Sequence, residues 1–278
     1  MSANEQQARE RASAAGQGHL FRHFDSWSPA ERGNFLKELS EVDFSLVAKH
    51  RAMLLESPHG APSVQLAPAE VFGLRRDSAQ QQRAARAIEL GARNLAAGKV
   101  GYLVVAGGQA SRLGYDGPKG AFRIGPVSDA SLFELHARRL RAAAQRYGCA
   151  TPWYVMTSRA NEAPTREFFA AHRYFGLPEQ DVFFFSQAMV PALDFEGRIL
   201  MSGPGALFLA PNGHGGSLEA FARSGALDDA RRRGLEQLSY FQVDNPLAPP
   251  ADPLFLGLHA ELRASMSSKV VAKRDASE

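Results

Sequence analysis

One segment, residues 99–120, limits what this chain can fold into more than any other. Val100-Gly101-Tyr102-Leu103-Val104-Val105 is a short apolar run of the kind expected for a strand buried on both faces. It ends in Ala106-Gly107-Gly108, and paired glycines at a strand end let backbone amides approach a ligand that a Cβ would hold off. Arg112 and Lys119 follow in the same loop and bring two fixed positive charges to it, so phosphate is its natural ligand. The loop is neither a P-loop, because Gly-Lys-Ser/Thr is missing, nor a dinucleotide fingerprint, because G-x-G-x-x-G is missing. Taken alone, a strand followed by Gly-Gly is also compatible with a tight turn that binds nothing.

A strand buried on both faces needs helices above and below it, and the rest of the chain supplies the alternation. Residues 153–158, 182–187 and 238–245 read as strands, the last ending in the acid Asp244, and residues 268–274 predict one more. Helices are expected from the capping box Ser28–Glu31 through Leu39, over Phe44–Leu55, and over Ser78–Ala97 with Gly98 as its stop. A second capping box, Ser131–Glu134, opens a helix in which Leu132, Leu135 and Leu140 recur at helical spacing. Asn161 is placed to cap a helix through His172, two more follow near Gly216 and over residues 252–262, and residues 195–197 form a hairpin-like turn. The order predicts an α/β fold, a doubly wound sheet flanked by helices, with ligands at the carboxyl ends of its strands. The expected organisation is a disordered tail over 1–18, a helical region over 19–97, and the α/β domain over 98–278.

Charge and cysteine content exclude several other classes. Thirty-two Lys and Arg are interspersed with 29 Asp and Glu, a net +3, so nothing calls for nucleic acid. The densest basic stretch, Arg231–Arg233, follows two acids and reads as a solvated helix face. Cys149 is the single cysteine, which rules out an internal disulfide and any cysteine-based zinc cluster, and a reducing compartment fits. With no apolar leader and no apolar run near the length of a membrane span, the expectation is a soluble, cytoplasmic protein. Composition does not fix the oligomeric state.

The whole string Leu103-x-x-Ala-Gly107-Gly108-Gln-Ala110-Ser111-Arg112-Leu113-Gly114, followed by Pro118-Lys119, resembles the signature of the UTP-dependent sugar-1-phosphate pyrophosphorylases. Ala110 stands where that signature has glycine, and Ser111 replaces threonine but keeps its hydroxyl. The resemblance runs from about residue 20 to 278, through PWYVMTSRANEAPTREFF, FFFSQAMVPALDFEGRIL, APNGHGG and FQVDNPLAPPADPLFLG. It is nearest to the UDP-N-acetylglucosamine pyrophosphorylase group. It implies a nucleotide-diphospho-sugar transferase fold preceded by a small helical region. It also implies transfer of UMP from UTP to a hexose 1-phosphate, with pyrophosphate released and Mg²⁺ as cofactor.

By the same resemblance, Ala106, Gly107 and Gly108 form the uridine-nucleotide loop and Gln187 reads the uracil edge, where an amide suits a base offering donor and acceptor. Gly213 packs under the base. His214, counted with Gly213 among the nucleotide-binding residues, stands in Pro-Asn-Gly-His-Gly-Gly where N-acetylglucosamine enzymes often have Pro-Asp-Gly-Asn-Gly-Gly and resembles the UDP-glucose and broad-specificity UDP-sugar branches, so the hexose is N-acetylglucosamine or glucose. Arg112 and Lys119 fall to the triphosphate and pyrophosphate, and Asp244 to Mg²⁺, since a buried strand-end carboxylate would need a compensating cation. The bland readings are a surface residue for Gln187, a plain turn for Gly213 and a turn cap for Asp244. Family members continue well past residue 278, so the sugar half is expected to be missing. A uridylyltransferase, a non-catalytic UTP-binding remnant and a scaffold with an exposed sheet edge are the readings carried forward.

Overall fold

The computed structural model describes residues 3–55 and 71–275. Its helices are α1 (Ala3–Ala14), α2 (Pro29–Glu41), α3 (Phe44–Leu55), α4 (Ser78–Ala96), α5 (Leu132–Tyr147), α6 (Glu162–Ala171), α7 (Ser217–Arg223), α8 (Ala226–Arg232) and α9 (Pro253–Glu261). Its strands are β1 (Val100–Val105), β2 (Trp153–Thr157), β3 (Val182–Ser186), β4 (Met189–Pro191), β5 (Met201–Gly203), β6 (Ala206–Leu207), β7 (Leu209–Pro211) and β8 (Gln237–Gln242). Two compact units divide the described chain: an amino-terminal stretch joined by Ala188–Asn212, and Val71–Gln187 joined by the residues from Gly213 onward.

The second unit holds a four-stranded sheet in the order β3-β2-β1-β8, every neighbouring pair parallel. Alternation along each strand sends side chains to two different cores. Tyr102, Val104, Trp153, Val155, Phe184, Phe241 and Val243 face α5 and α6, packing on Leu132, Phe133, Leu140 and Phe169. Leu103, Tyr154, Met156 and Phe185 face α7 and α8, packing on Ala220, Phe221, Ala226 and Ala230. This is the helix-on-both-faces sandwich that the apolar runs predict.

Caps at the helix ends follow the local chemistry. Ser28 and Glu31 form the complete capping box of α2, and Asp77 with Gln80 does the same for α4. At α5 only half the box forms: Ser131 accepts from the Glu134 amide, while the Glu134 carboxylate pairs with Arg138 at 2.6 Å. Gly98, in the left-handed region at φ 68°, ends α4 as expected.

Helices α4 and α9 meet at two glycines. A Cβ on Gly91 would lie 1.9 Å from the Pro253 carbonyl oxygen, and one on Gly257 would lie 1.7 Å from that of Ala87. Backbone rather than side chain sets this contact, so neither helix can yield locally.

The basic run at the end of α8 departs from its expected role. Arg231 and Arg232 are exposed, but Arg233 turns inward, its Nε donating to Asp229 at 2.8 Å and its Nη1 to Asp181 at 2.7 Å. Asp229 is buried and also accepts from the Tyr154 hydroxyl at 2.9 Å; burial, reinforced by that hydrogen bond, pushes the Tyr154 phenol up. Arg233 thus neutralises a carboxylate that would be costly to bury alone.

The first unit corrects two expectations about boundaries. The stretch expected to be a disordered tail forms α1, with Ala12 and Gln17 fully buried. Gln17 spans the unit: its Nε2 donates to the Gly197 carbonyl at 3.0 Å and its Oε1 accepts from the Ile199 amide at 2.8 Å. Arg9 covers the faces of Phe21 and Phe24, 4.7 and 5.0 Å from their centroids, supplying packing that an apolar count misses. Residues 188–212, expected within the α/β domain, instead send Ile199 and Leu207 into the same core as Phe21, Phe24, Trp27 and Phe35. They form two small antiparallel pairs, β4 with β7 and β5 with β6, and the expected turn at 195–197 closes on a Leu193–Ile199 bridge.

The strand expected over 268–274 does not form, because among the described residues no strand lies beside it to complete a ladder. Val270 and Val271 are exposed, and Lys269 is held instead by Asp252 at 2.5 Å. Among the described residues no helix is long and apolar enough to cross a membrane.

The glycine contact between α4 and α9 yields a paired prediction. Gly257→Ala forces two helices apart and lowers unfolding free energy by about 2–3 kcal/mol, as overpacking of a tight core does. Gly33→Ala, in an exposed turn of α2 with nothing within 4 Å of the new Cβ, raises it by about 0.5–1 kcal/mol. Urea denaturation of both variants checks the contrast, and equal effects would contradict the packing described.

Candidate functional site

Strand order reverses at β1, since β2 and β3 lie on one side of it and β8 on the other. In a doubly wound sheet the loops leaving such neighbouring strands diverge and open a crevice at their carboxyl ends. Residues 106–120 leave β1 there, and residues 243–248 leave β8.

The loop after β1 begins by exhausting its strand pairing. The Ala106 amide donates to the Met156 carbonyl at 2.8 Å, and pairing resumes only at Ala110, whose amide donates to Gly117 at 3.1 Å. Between them the amides of Gly107, Gly108 and Gln109 find no acceptor among the described residues. Three successive free N–H groups at a strand end are the makings of an anion-binding concavity. A bridge between Gln109 and Pro118 closes the loop, with the Lys119 amide on the Gly108 carbonyl at 3.1 Å, and so returns Lys119 beside Gly108.

Ala110 does not need the glycine usual at its place: it lies at φ −95°, ψ 19°, buried, and Gly114 takes the left-handed conformation instead, at φ 67°. Arg112 has its backbone in the turn Ser111–Leu113, and its side chain lies outside the described residues.

The two glycines are glycine for different reasons. A Cβ on Gly107 would sit 2.4 Å from Gln187 Nε2 and 3.3 Å from the Thr157 carbonyl oxygen, so the absence of a side chain is what lets Gln187 lie across the loop. Gly108 has an ordinary φ, and its nearest neighbour would be Lys119 Cε at 3.7 Å. Nothing described in the free protein requires glycine there; a closely approaching ligand would.

Gln187 itself is buried, its amide bonded to the Thr157 carbonyl at 2.9 Å while its side-chain amide makes no hydrogen bond among the described residues. Lys119 Nζ meets Asp244 Oδ2, in the loop leaving β8, at 3.0 Å. Asp244 departs from the expected burial: its side chain is 45% exposed and bears no large desolvation cost. With Lys119 itself 32% exposed, the pair is worth no more than about 1 kcal/mol, so either partner can be taken over by another ion.

Support for Asp244 comes from α5. His136 is fully buried and its Nε2 donates to the Val243 carbonyl at 2.9 Å, while Arg139 donates to the Pro246 carbonyl. Burial holds the His136 imidazole below its usual range, which suits a neutral ring with its proton on Nε2. Neither residue carries a sequence signal, because their task exists only once α5 packs beside β8.

Gly213 lies at φ 64°, with nothing within 4 Å of a Cβ, so the turn alone is reason enough for glycine. His214 Nδ1 is 2.6 Å from the Tyr240 hydroxyl, and Ser217 Oγ donates to the His214 carbonyl at 2.7 Å. No hydrogen bond among the described residues joins Gly213 or His214 to the glycine loop. The structure therefore brings Ala106, Gly107, Gly108, Lys119, Gln187 and Asp244 into one connected set, and anchors His214 separately on β8.

Asn161 is the residue whose placement differs most from expectation. It stands at the N-cap position of α6 but makes no side-chain cap. Fully buried, it donates from Nδ2 to the carbonyls of Ala106 at 2.9 Å and Gly108 at 3.3 Å, and accepts at Oδ1 from the Ser158 amide at 2.7 Å.

Residues 64–278 match the family described as UTP--glucose-1-phosphate uridylyltransferase. Among curated relatives, UDP-N-acetylhexosamine pyrophosphorylase-like protein 1 of Xenopus tropicalis is 37% identical over 95% of this chain and 54% of its own length. A probable UDP-N-acetylglucosamine pyrophosphorylase of Schizosaccharomyces pombe is 41% identical over 68% of this chain and 42% of its own. Among solved structures, the uridine diphosphate N-acetylglucosamine pyrophosphorylase of Trypanosoma brucei, in complex with inhibitor, superposes with a TM-score of 0.77 at 29% identity, covering 95% of this chain and 56% of that one. A Leishmania major UDP-glucose pyrophosphorylase mutant, at a TM-score of 0.58 and 17% identity over 95% of this chain and 48% of its own, shares the fold. The chain spans about half the length of the curated relatives it matches. By the extent of these matches, the chain belongs to the UTP–glucose-1-phosphate uridylyltransferase family.

Proposed function

We propose that this chain binds UTP in the crevice between the loops of β1 and β8 and carries the nucleotide half of a uridylyltransferase acting on an N-acetylhexosamine 1-phosphate. The observation that carries the reading is the row of three amides, at Gly107, Gly108 and Gln109, without an acceptor among the described residues, in the same loop as Lys119, which pairs with Asp244. Relatives named for N-acetylhexosamine or N-acetylglucosamine favour that sugar; glucose 1-phosphate is the runner-up, supported by His214 in place of the more usual asparagine.

In the proposed reaction a phosphate oxygen of the sugar 1-phosphate forms a bond to the α-phosphorus of UTP. The bond from that phosphorus to the bridging oxygen breaks, and its electron pair leaves with pyrophosphate. Both reactants are polyanions, so the protein's work is positioning and charge neutralisation rather than covalent chemistry. Gln187 offers its free carboxamide to the uracil edge, the glycine-loop amides bind phosphate oxygens, and Lys119 leaves Asp244 to neutralise the departing pyrophosphate. Arg112 is assigned to the same phosphates on its loop position.

The donor set fits Mg²⁺ rather than a protein-caged metal. Among the described residues no three His, Cys, Asp or Glu side chains cluster to hold an ion, whereas a single exposed carboxylate with room for water and phosphate oxygens is what Mg²⁺ accepts. Asp244 would hold it, and the ion would supply charge neutralisation of the triphosphate.

The test is incubation with UTP, Mg²⁺ and either sugar 1-phosphate, following pyrophosphate release alongside calorimetry of UTP. Release with N-acetylglucosamine 1-phosphate is expected; affinity without release from either sugar would leave a nucleotide-binding module, and no affinity would sink the proposal. Lys119→Ala is expected to lower kcat about 100-fold with a smaller change in UTP affinity. Gly108→Ala, which meets nothing closer than 3.7 Å in the free protein, should leave the unfolding midpoint unchanged yet weaken UTP binding about ten-fold, because its Cβ intrudes only on a bound ligand. A fully tolerated Gly108→Ala would count against a ligand at this loop.

A further inference from the structure

Resting on the nucleotide-binding reading, we infer that Asn161 is a positioning residue that orients the free amides of the glycine loop from beneath. An N-cap asparagine ordinarily accepts hydrogen bonds from the first turn of its own helix. Here Oδ1 is turned back to the Ser158 amide and hydroxyl, at 2.7 and 3.0 Å, which leaves Nδ2 facing the loop after β1. Its two protons go to the carbonyls of Ala106 and Gly108. Only a carboxamide satisfies both ends, because one end must accept and the other must donate twice.

Peptide planarity carries the effect outward. The described chain has no cis peptide, so the C=O of each residue and the N–H of the next point in opposite directions across one rigid plane. Holding the Ala106 carbonyl toward Asn161 turns the Gly107 N–H away from it, and holding the Gly108 carbonyl does the same for the Gln109 N–H. These are two of the three amides without an acceptor. Glycine's conformational freedom loosens these planes, and Asn161, joined at the Gly108 carbonyl by the Lys119 amide, supplies the rigidity that Gly107 and Gly108 lack. A direct contact with nucleotide is not needed: Asn161 is fully buried and acts through the backbone.

The decisive variant is Asn161→Ser. Serine is as good an N-cap as asparagine and keeps α6 closed, but it is too short to reach the Ala106 carbonyl and has one proton instead of two. Two readouts are taken on the full chain. Hydrogen exchange followed by mass spectrometry reports the amides of Ala110 and Lys119, which are bonded across the loop, and calorimetry reports UTP. Faster exchange over residues 106–120 and UTP binding weakened roughly ten-fold are expected, with the unfolding midpoint moved by less than about 4 °C. Asn161→Asp, equal in shape and able to accept from Ser158 but not to donate, carries the same expectation should the serine variant fail to fold. Unchanged exchange and affinity in a folded variant would overturn the inference while leaving wild-type nucleotide binding intact. If wild type binds no UTP but exchange still accelerates in the variant, the nucleotide reading falls and the anchoring of the loop stands.

Discussion

Parallel pairing of β1 on both of its edges is the constraint from which the rest of the site follows. A strand paired on both sides cannot shift register without breaking two ladders, so the point where its backbone ends is fixed to within one residue. Here that point is Val105, opposite Met156 on one side and Gln242 on the other. The next residues must leave the sheet together with those following β8, and the two departing loops share the place where the topology reverses. Everything chemical in the second unit is arranged around that shared exit.

Layers of support then divide the labour. The α5 helix holds the exit of β8 through His136 and Arg139, the loop before α6 holds the exit of β1 through Asn161, and the exposed side chains are left free of structural duty. Lys119 and Asp244 show this most clearly, being partnered, among the described residues, with each other across an exposed contact. A weak pair between two half-solvated ions is a resting arrangement that a more highly charged ligand can replace without loss of fold.

The parts of this design that were legible in the sequence are those set by local chemistry. Apolar runs announced β1, β2, β3 and β8, with terminal glycines marking the exit of β1 alone, and cap residues announced α2 and α5. Whatever depends on distant partners was not legible. Gln17 looks like any glutamine in a polar tail until the carbonyl of Gly197 and the amide of Ile199 come within reach, and α1 was read as unstructured for that reason. Val270 and Val271 have strand propensity but, among the described residues, no neighbouring strand to pair with, so propensity lost. Asp244 lacks the burial expected of a strand-end carboxylate, and its link to Lys119, which spacing alone does not reveal, is what ties it to the loop. Asn161 was recognised as a helix start by its residue type, whereas its bonds to Ala106 and Gly108 required knowing which loop would lie above it.

The β1–β8 pairing also dictates when this crevice can exist. Val100 and Gln237 meet only after the chain from β1 through β8 has been synthesised, and contacts between such distant residues form late because their loop-closure entropy must be overcome first. A nascent chain holding β1, β2 and β3 already has its glycine loop but nothing opposite it. Arrival of β8 is therefore the event that brings Asp244 up to Lys119 and completes the connected set around the loop after β1.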